Sequence, residues 1–226
     1  MTYQLIHSGD SNSFPDPHAF LDGAIVTGVN RVFLGADTGQ AYQAAAQLAP
    51  PATWGATFVA LELGHECLAV HLGDDQGPDN VVGFARFRLG QADPTNLVEL
   101  VRMPYTTAQA LTAARLAFET SGLKVAVCND FPGRIINRLV RPYYNAALRR
   151  LDEGLATAAD MDTTLRLGLG YPEGPIALLN RTGLPAHFEV TRDLFEQLGQ
   201  EPYAPARRAR NAWLRAQQPG TDHATA

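Results

Sequence analysis

The spacing of apolar residues changes once along the 226-residue chain, near residue 128. Before that point, short apolar runs lie between Gly, Pro and Asp residues, a pattern typical of buried strands. After it, apolar residues recur every three to four positions, which is the period of an amphipathic helix. We therefore predict an α/β domain at residues 1–128, a helical domain at residues 129–218, and a frayed tail at residues 219–226.

Seven runs in the first half have the length and the β-branched content of strands: residues 2–7, 30–35, 56–63, 67–72, 80–87, 96–101 and 123–128. Segments 38–49 and 106–121 have helical spacing, and the second begins with a pair that resembles a capping box, Thr106 and Gln109. Alternating strands and helices favour a partly parallel sheet. Residues 56–101 leave little room for helices, so we expect part of the sheet to be antiparallel.

The second half predicts a small helical domain. Its first helix has apolar residues on one face, namely Ile136, Leu139, Val140, Tyr143, Ala147 and Leu151. Thr157 and Asp160 form a capping box that opens a short helix, which we expect to end before Gly168. Further helical segments are predicted at about 174–182, 184–198 and 205–217.

Composition excludes several classes of protein. With 46% hydrophobic and 18% charged residues, the chain is too apolar and too weakly charged to be disordered. No apolar run is long enough to span a membrane, and residues 1–10 do not resemble a signal peptide. Cys67 and Cys128 suggest neither a disulfide framework nor a metal site. Without an export signal or a disulfide framework, a cytoplasmic location is expected. The net charge of −5 argues against nucleic-acid and membrane partners.

A spaced set of residues in the second half is specific enough to indicate a family. Its members are Asp130, Pro132, Gly133, Asn137, Arg138, Pro142, Asn145, Ala146, Glu153, Gly154, Ala156, Asp160, Asp162, Gly168, Gly170, Pro172, Gly174, Pro175 and Leu178. This set resembles the C-terminal domain of the 3-hydroxyacyl-CoA dehydrogenases. A weaker resemblance to the same family continues upstream through residues 81–107.

The resemblance implies a fold and a chemistry. Its fold is a shortened Rossmann-like α/β domain followed by an all-α domain of the 3-hydroxyacyl-CoA dehydrogenase type, which forms the homodimer interface in that family. The family oxidises the 3-hydroxyl of an acyl-CoA in fatty-acid metabolism and passes hydride to NAD. A His acts as base and a Glu orients it. The resemblance assigns Glu99 to the orienting position and Asn137 to the active-site position of the helical domain.

Two departures from the family pattern concern the chemistry itself. The base position holds Ala85, and alanine cannot carry a proton. The glycine fingerprint that binds the dinucleotide pyrophosphate should follow the first strand, yet that stretch contains Gly9 alone. NAD is therefore implied by the resemblance only, and no residue is assigned to cofactor binding. The apolar residue after the D-x-P-G turn is replaced by Arg134.

Other residues are candidates for a remaining site. His7 ends the first predicted strand, where α/β sheets place ligands, and is the best remaining candidate for a base. Arg134, Arg138 and Arg141 have the spacing of a basic stripe on one helix, which would hold CoA phosphates, face the acidic first domain or form a solvated face.

Three hypotheses follow from these observations. The first is a divergent family member without orthodox NAD-dependent catalysis, which binds acyl-CoA or a related thioester between the domains. The second is an active dehydrogenase with atypical NAD binding, in which Glu99, Asn137 and His7 line the site. The third is a non-catalytic interaction protein that uses the dimer surface. The residues do not identify the acyl chain or a partner protein.

Overall fold

A computed structural model describes residues 2–218 of the chain, so the tail predicted at residues 219–226 lies outside the described residues. The chain forms two compact units. Within the described part, the first unit holds residues 2–88 and 93–135, and the second holds residues 89–92 and 136–218.

The first unit is built on a six-stranded sheet. Its strands are β1 (Tyr3–His7), β2 (Asn30–Leu34), β3 (Val59–Glu62), β4 (Val81–Arg86), β5 (Leu97–Arg102) and β6 (Lys124–Asn129). They lie side by side in the order in which they occur in the chain. All neighbours are parallel except β4 and β5, which are antiparallel. The mixed sheet expected from the sequence is thus confirmed.

Four helices accompany the described sheet: α1 (Ala19–Asp22), α2 (Thr38–Leu48), α3 (Ala69–Leu72) and α4 (Ala108–Glu119). The strand predicted at residues 67–72 is wrong, since this segment contains α3. The Asp130 carboxylate accepts hydrogen bonds from the backbone N–H groups of Leu68 and Ala69, both at 2.8 Å. This cap comes from 61 or 62 residues away, so the local sequence pattern cannot show it. Thr107, rather than Thr106, caps α4 by accepting from the Ala110 N–H.

An aromatic cluster forms the centre of the core on one face of the sheet. Phe20 stacks on Tyr3, Phe14 and Phe118, with ring centroids 4.8, 5.1 and 4.6 Å away. The Phe20 side chain is completely buried, and Phe84 of β4 packs 4.9 Å from Phe118. Burial of these rings attaches the loop before α1 to the sheet, because each ring removes a large apolar area from water.

The second unit contains five described helices: α5 (Ile136–Asp152), α6 (Ala158–Leu169), α7 (Pro175–Thr182), α8 (Leu184–Leu198) and α9 (Arg207–Ala216). The Thr157 hydroxyl accepts from the Asp160 N–H, so the predicted cap of α6 is confirmed. The helix continues two residues beyond Leu167, past its expected end before Gly168. Leu139, on the apolar face predicted for α5, is 71% exposed.

Residues 89–92 pack within this helical unit although their chain neighbours lie in the sheet unit. The Gln91 N–H donates to the Thr182 carbonyl at 2.8 Å. Gly90 has φ +56°, and a Cβ there would lie only 1.8 Å from the same carbonyl oxygen. Only glycine therefore permits this close approach to the end of α7.

Replacement of the central aromatic ring tests this description of the core. We expect Phe20→Ala to lower the free energy of unfolding by about 3–5 kcal/mol, because the neighbouring rings cannot fill the cavity. Urea denaturation followed by far-UV circular dichroism measures the change. Val26→Ala is the control, since Val26 is 93% exposed and its truncation should change stability by no more than about 0.5 kcal/mol. Equal effects of the two substitutions would contradict the described core.

Candidate functional site

Glu99 lies in the middle of β5 and is 1% exposed. Its partner across the antiparallel β4–β5 pair is Ala85, the position at which the family resemblance places a histidine. Side chains directly opposite each other in such a pair lie about 5 Å apart at Cβ. The strand register therefore places Glu99 beside the position at which the resemblance expects a base.

Arg134 makes an ion pair with this buried carboxylate. Its Nε lies 3.4 Å from Glu99 Oε2, and its Nη2 donates to the Gly64 carbonyl at 3.1 Å. The Ile135 N–H donates to Glu99 Oε1 at 2.9 Å. The two charged side chains are only 8% and 2% exposed. Glu99 thus binds a guanidinium and a backbone amide, both of which only donate hydrogen bonds.

The backbone of Arg134 has an unusual conformation. Its φ of +51° makes it the one described non-glycine residue in the left-handed region. An L-residue pays roughly 1–2 kcal/mol for that conformation. The buried contacts with Glu99 and Gly64 hold the residue there. A guanidinium only donates hydrogen bonds, so Arg134 cannot take the role of proton acceptor that the resemblance gives to a histidine.

A second buried carboxylate, Glu62, occupies the carboxyl end of β3 and is 4% exposed. Its Oε1 accepts from the Ser13 N–H at 2.7 Å and from the Ser11 hydroxyl at 3.0 Å. Its Oε2 accepts from the Gly35 N–H at 2.7 Å. Sequence analysis missed Glu62; the available signal was an acidic residue closing the apolar run 56–63.

This arrangement bears on dinucleotide binding. In doubly wound sheets the crevice for the dinucleotide opens where the strand order reverses, and backbone N–H groups after the strands hold the phosphates. Here the strand order of the described sheet has no reversal. Two of the amides at this edge, those of Ser13 and Gly35, already bind Glu62. The residues at this edge do not fit a pyrophosphate, because the buried carboxylate repels it and takes its donors.

His7 does not belong to the same site as Glu99. It is exposed at the end of β1, an edge strand, whereas Glu99 lies four strands away on β5. Four inter-strand spacings amount to roughly 19 Å. The expectation that the two residues line one site is therefore wrong. Sequence order alone did not show that β1 takes the outer position.

A different histidine of the sheet unit pairs with a carboxylate. His71 Nε2 lies 3.5 Å from Glu66 Oε1, and the Gly64 N–H donates to the same oxygen at 3.1 Å. Burial raises the pKa of Glu66, but hydrogen bonds, first from His71, outweigh this effect and lower it to about 2. The pair borders a cleft of about 570 Å³ beside α2. His71 lies on α3 rather than on the strand predicted there.

In the helical unit, Asn137 lies in the first turn of α5 and is 8% exposed. Its Oδ1 accepts from Arg141 Nε at 2.8 Å, and Arg141 Nη1 lies 2.9 Å from His187 Nδ1. Burial lowers the pKa of Arg141 to about 10 and that of His187 well below its ordinary value. Sequence analysis missed His187, since nothing in its helix indicates an interior partner.

The basic stripe proposed from the spacing of three arginines is not present on one exposed face. Arg134 precedes α5 and is held by Glu99, while Arg141 is 1% exposed inside the helical unit. Arg138 is half-buried on α5. The spacing i, i+4, i+7 assumes one continuous helix with an open face, and the structure meets neither condition.

Residues 2–218 contain no cluster of His, Cys, Asp or Glu side chains that could hold a metal ion. Burial raises the pKa of both cysteine thiols, Cys67 and Cys128, to about 11, so neither is a reactive thiolate at neutral pH. None of the described helices combines the length and the apolar character that crossing a bilayer requires.

Comparison with known proteins assigns the helical half. The family model of the 3-hydroxyacyl-CoA dehydrogenase C-terminal domain matches residues 133–221. The helical half of this chain is thus a match to the C-terminal domain of the 3-hydroxyacyl-CoA dehydrogenase family. The mitochondrial hydroxyacyl-coenzyme A dehydrogenase of Sus scrofa is 38% identical over 106 residues, which is 47% of this chain and 34% of that protein. The 3-hydroxyadipyl-CoA dehydrogenase of Escherichia coli is 34% identical over 126 residues, 56% of this chain and 26% of that protein.

The family fold extends beyond the helical half. The crystal structure of 3-hydroxybutyryl-CoA dehydrogenase from Escherichia coli K12 superposes with a TM-score of 0.71 at 25% identity, covering 90% of this chain and 42% of that one. The fold predicted from the resemblance is thus confirmed. The chain spans about a quarter to a third of the two curated relatives described above, so their whole activity does not transfer to it directly.

The Glu99–Arg134 pair predicts a large effect of removing one charge. We expect Glu99→Gln to lower the free energy of unfolding by about 3–5 kcal/mol, because Arg134 is left buried without its carboxylate. The double variant Glu99→Gln/Arg134→Met should be less destabilised than Glu99→Gln alone. The control is Glu153→Gln, which breaks an exposed pair with Arg150 and should change stability by about 1 kcal/mol or less. Urea denaturation measures the stability of all three variants. Equal losses in Glu99→Gln and in the control Glu153→Gln would contradict a buried ion pair.

His187 predicts a specific pH dependence of stability. Its folded-state pKa lies below the unfolded value of 6.5, so the unfolded chain takes up a proton first as the pH falls. Stability contributed by neutral His187 is complete above about pH 6.5 and is lost below it, by up to about 1.4 kcal/mol per pH unit. Urea denaturation between pH 5 and 8, followed by Trp213 fluorescence in a Trp54→Phe background, measures this loss.

We expect His187→Gln to flatten the pH dependence of the helical unit. His7→Gln is the matched control, because it removes an exposed histidine of the sheet unit and should leave the dependence unchanged. Identical curves for wild type and His187→Gln would show that His187 is not held neutral in the fold.

Proposed function

We propose that this protein is a divergent 3-hydroxyacyl-CoA dehydrogenase-like protein that binds acyl-CoA or a related thioester and lacks orthodox NAD-dependent catalysis. The observation that carries the proposal is the environment of Glu99. Its cross-strand partner is Ala85, and its charged partner is Arg134. The family chemistry needs a group that takes the hydroxyl proton, and an arginine held on the orienting glutamate cannot do so.

The nucleotide side of the sheet supports the same conclusion independently. Hydride transfer needs NAD, whose pyrophosphate is normally held by backbone amides at the carboxyl edge of the sheet. At this edge the Glu62 carboxylate accepts from the amides of Ser13 and Gly35. Loss of the base and loss of the phosphate site concern different residues on different strands. A single local change in the sequence therefore does not account for both.

The retained helical domain supports the thioester part of the proposal. Both curated relatives described above are named as dehydrogenases of CoA esters, and the family model of the C-terminal domain matches residues 133–221. Asn137, which matches the active-site Asn of that domain, is held by a hydrogen bond from Arg141. The chain has thus kept the part of the family signature that contacts substrate while replacing the base.

We further propose that the helical domain forms a homodimer and that this association does not require a ligand. Several large apolar side chains of α5, α6 and the residues that follow α5 and α6 are exposed: Leu139, Leu155, Leu167, Leu169 and Tyr171. Each is between 43% and 81% exposed. Such a concentration of exposed apolar side chains favours association. This observation also supports a second candidate function, that of a non-catalytic interaction protein.

The catalytic part of the proposal predicts no enzymatic turnover. With NADH and acetoacetyl-CoA as probes, the wild-type protein should oxidise NADH no faster than its Glu99→Gln variant, because neither has the histidine that would donate a proton to the 3-oxygen as hydride is transferred. Absorbance at the NADH band measures the rate. NADH oxidation at an ordinary enzymatic rate that Glu99→Gln abolishes would overturn the loss of catalysis.

The binding part of the proposal is tested by thermal shift. Acetoacetyl-CoA should stabilise the protein, by about 2.7 kcal/mol at 100 times its Kd, while NAD should not.

The dimer predicts an effect of charge on the exposed apolar side chains. Wild-type protein should have twice the chain mass by light scattering after size-exclusion chromatography. The double variant Leu139→Glu/Leu167→Glu should have the mass of one chain, because two carboxylates would be desolvated in the interface. Leu48→Glu, a change at a 90% exposed leucine of the sheet unit, is the control and should leave the mass unchanged. A monomeric wild type, or a dimer in all three proteins, would contradict this interface.

A further inference from the structure

A chain of four buried polar side chains runs through the helical unit. Arg141 Nε donates to Asn137 Oδ1 at 2.8 Å, and Arg141 Nη1 lies 2.9 Å from His187 Nδ1. His187 Nε2 lies 3.0 Å from Asn145 Oδ1, and Asn145 Nδ2 donates to the Pro202 carbonyl at 3.1 Å. Arg141, His187 and Asn145 are no more than 1% exposed. The side chains come from α5 and α8, so the network exists only in the folded domain.

The chemistry of arginine determines the direction of every bond in this network. A guanidinium only donates, so the oxygen of the Asn137 amide must face Arg141 and the nitrogen must lie on the other side. For the same reason His187 Nδ1 must be an unprotonated acceptor, and its proton must be on Nε2, where it is donated to Asn145. Burial and the nearby Arg141 lower the pKa of His187, which agrees with this neutral tautomer.

The network does not stabilise the fold better than apolar side chains would at the same positions. Arg141 pairs with no carboxylate in the described part of the chain, and its two partners, Asn137 and His187, are uncharged. Burial of a cation without a counter-charge is unfavourable, and apolar side chains of similar volume usually stabilise such a position as well or better. The role of the network therefore lies in the side chain that it holds in one orientation.

What the network orders is the amide of Asn137. Across residues 2–218, Asn137 Nδ2 makes no hydrogen bond, and it is not one of the fully enclosed polar atoms. The amide N–H groups are therefore the side of Asn137 that remains available to a ligand. Their orientation is set before any ligand binds, which reduces the entropy lost on binding.

We propose that Arg141 and His187 are positioning residues that hold Asn137 as a hydrogen-bond donor toward a carbonyl oxygen of the bound acyl group. This inference rests on the proposed function, because it assumes that Asn137 contacts an acyl thioester. It predicts that the ligand group that contacts Asn137 is a hydrogen-bond acceptor, such as the carbonyl of a thioester or of a 3-oxoacyl chain. A carboxylate at position 137 would retain the bond to Arg141 but present only acceptors to the ligand.

The binding experiment compares acetoacetyl-CoA with free CoA, which has no acyl carbonyl, by isothermal titration calorimetry on the full chain. Wild-type protein should prefer acetoacetyl-CoA. Asn137→Asp should reduce this preference about three- to tenfold, the worth of one hydrogen bond, while the Kd for CoA changes less than twofold. Arg141→Met/His187→Leu should reduce the preference to the same extent, because Asn137 loses its fixed orientation.

Two features of the design separate positioning from folding. The double variant replaces the network with apolar side chains of similar length, and urea denaturation establishes that it remains folded. Arg150→Met is the matched control, since Arg150 is exposed on the same helix and should leave both affinities unchanged. A folded double variant that retains the wild-type preference would overturn the proposal.

A measurement without ligand separates this proposal from the proposed function. Long-range ¹⁵N NMR of the wild-type protein at pH 7 should show His187 neutral with its proton on Nε2. A proton on Nδ1 would overturn the proposal, because Arg141 could not then donate to it. If His187 has the expected tautomer but the protein binds neither CoA nor acetoacetyl-CoA, the proposed function is refuted and the orientation of Asn137 is supported.

Discussion

A buried charge must be satisfied by hydrogen bonds, and this constraint determines the polar interior of the protein. Glu62 accepts from two backbone amides at the end of the parallel strands, while Glu99 accepts from a guanidinium and an amide. Arg141 donates to two neutral side chains of the helical unit. Each group is satisfied by internal partners, so the donors and acceptors that a ligand would need are largely in use.

The consequence for the chemistry follows directly. A site that transfers hydride needs a group that accepts a proton and amides that hold the cofactor phosphates. Arg134 has taken the place beside Glu99, and Glu62 has taken amides of the nucleotide edge. In the helical domain, Arg141 binds the oxygen of the Asn137 amide and leaves the amide N–H groups on the other side. The internal hydrogen bonds thus occupy the buried carboxylates of the sheet unit, which is why the proposed ligand contact lies in the helical unit.

Prediction from the sequence was accurate where the signal is local. The apolar spacing placed six of the strands and the five long helices of the second half, and Thr157 was correctly assigned as a cap. It was wrong for residues 67–72, where the capping carboxylate of Asp130 comes from a distant segment. It was also wrong to place His7 in one site with Glu99, since strand order in a sheet is not encoded by any single strand.

By itself, the sequence determined the resemblance of the second half to the 3-hydroxyacyl-CoA dehydrogenase C-terminal domain, the change from sheet to helix near residue 128, and the absence of a histidine at position 85. These properties depend on residue identity and on spacing along the chain. Only the tertiary structure decided that Arg134 is the charged partner of Glu99, and that Arg141 is an interior residue rather than part of a surface stripe. The physical reason is that the partner of a buried charge comes from whichever segment the fold brings within hydrogen-bonding distance.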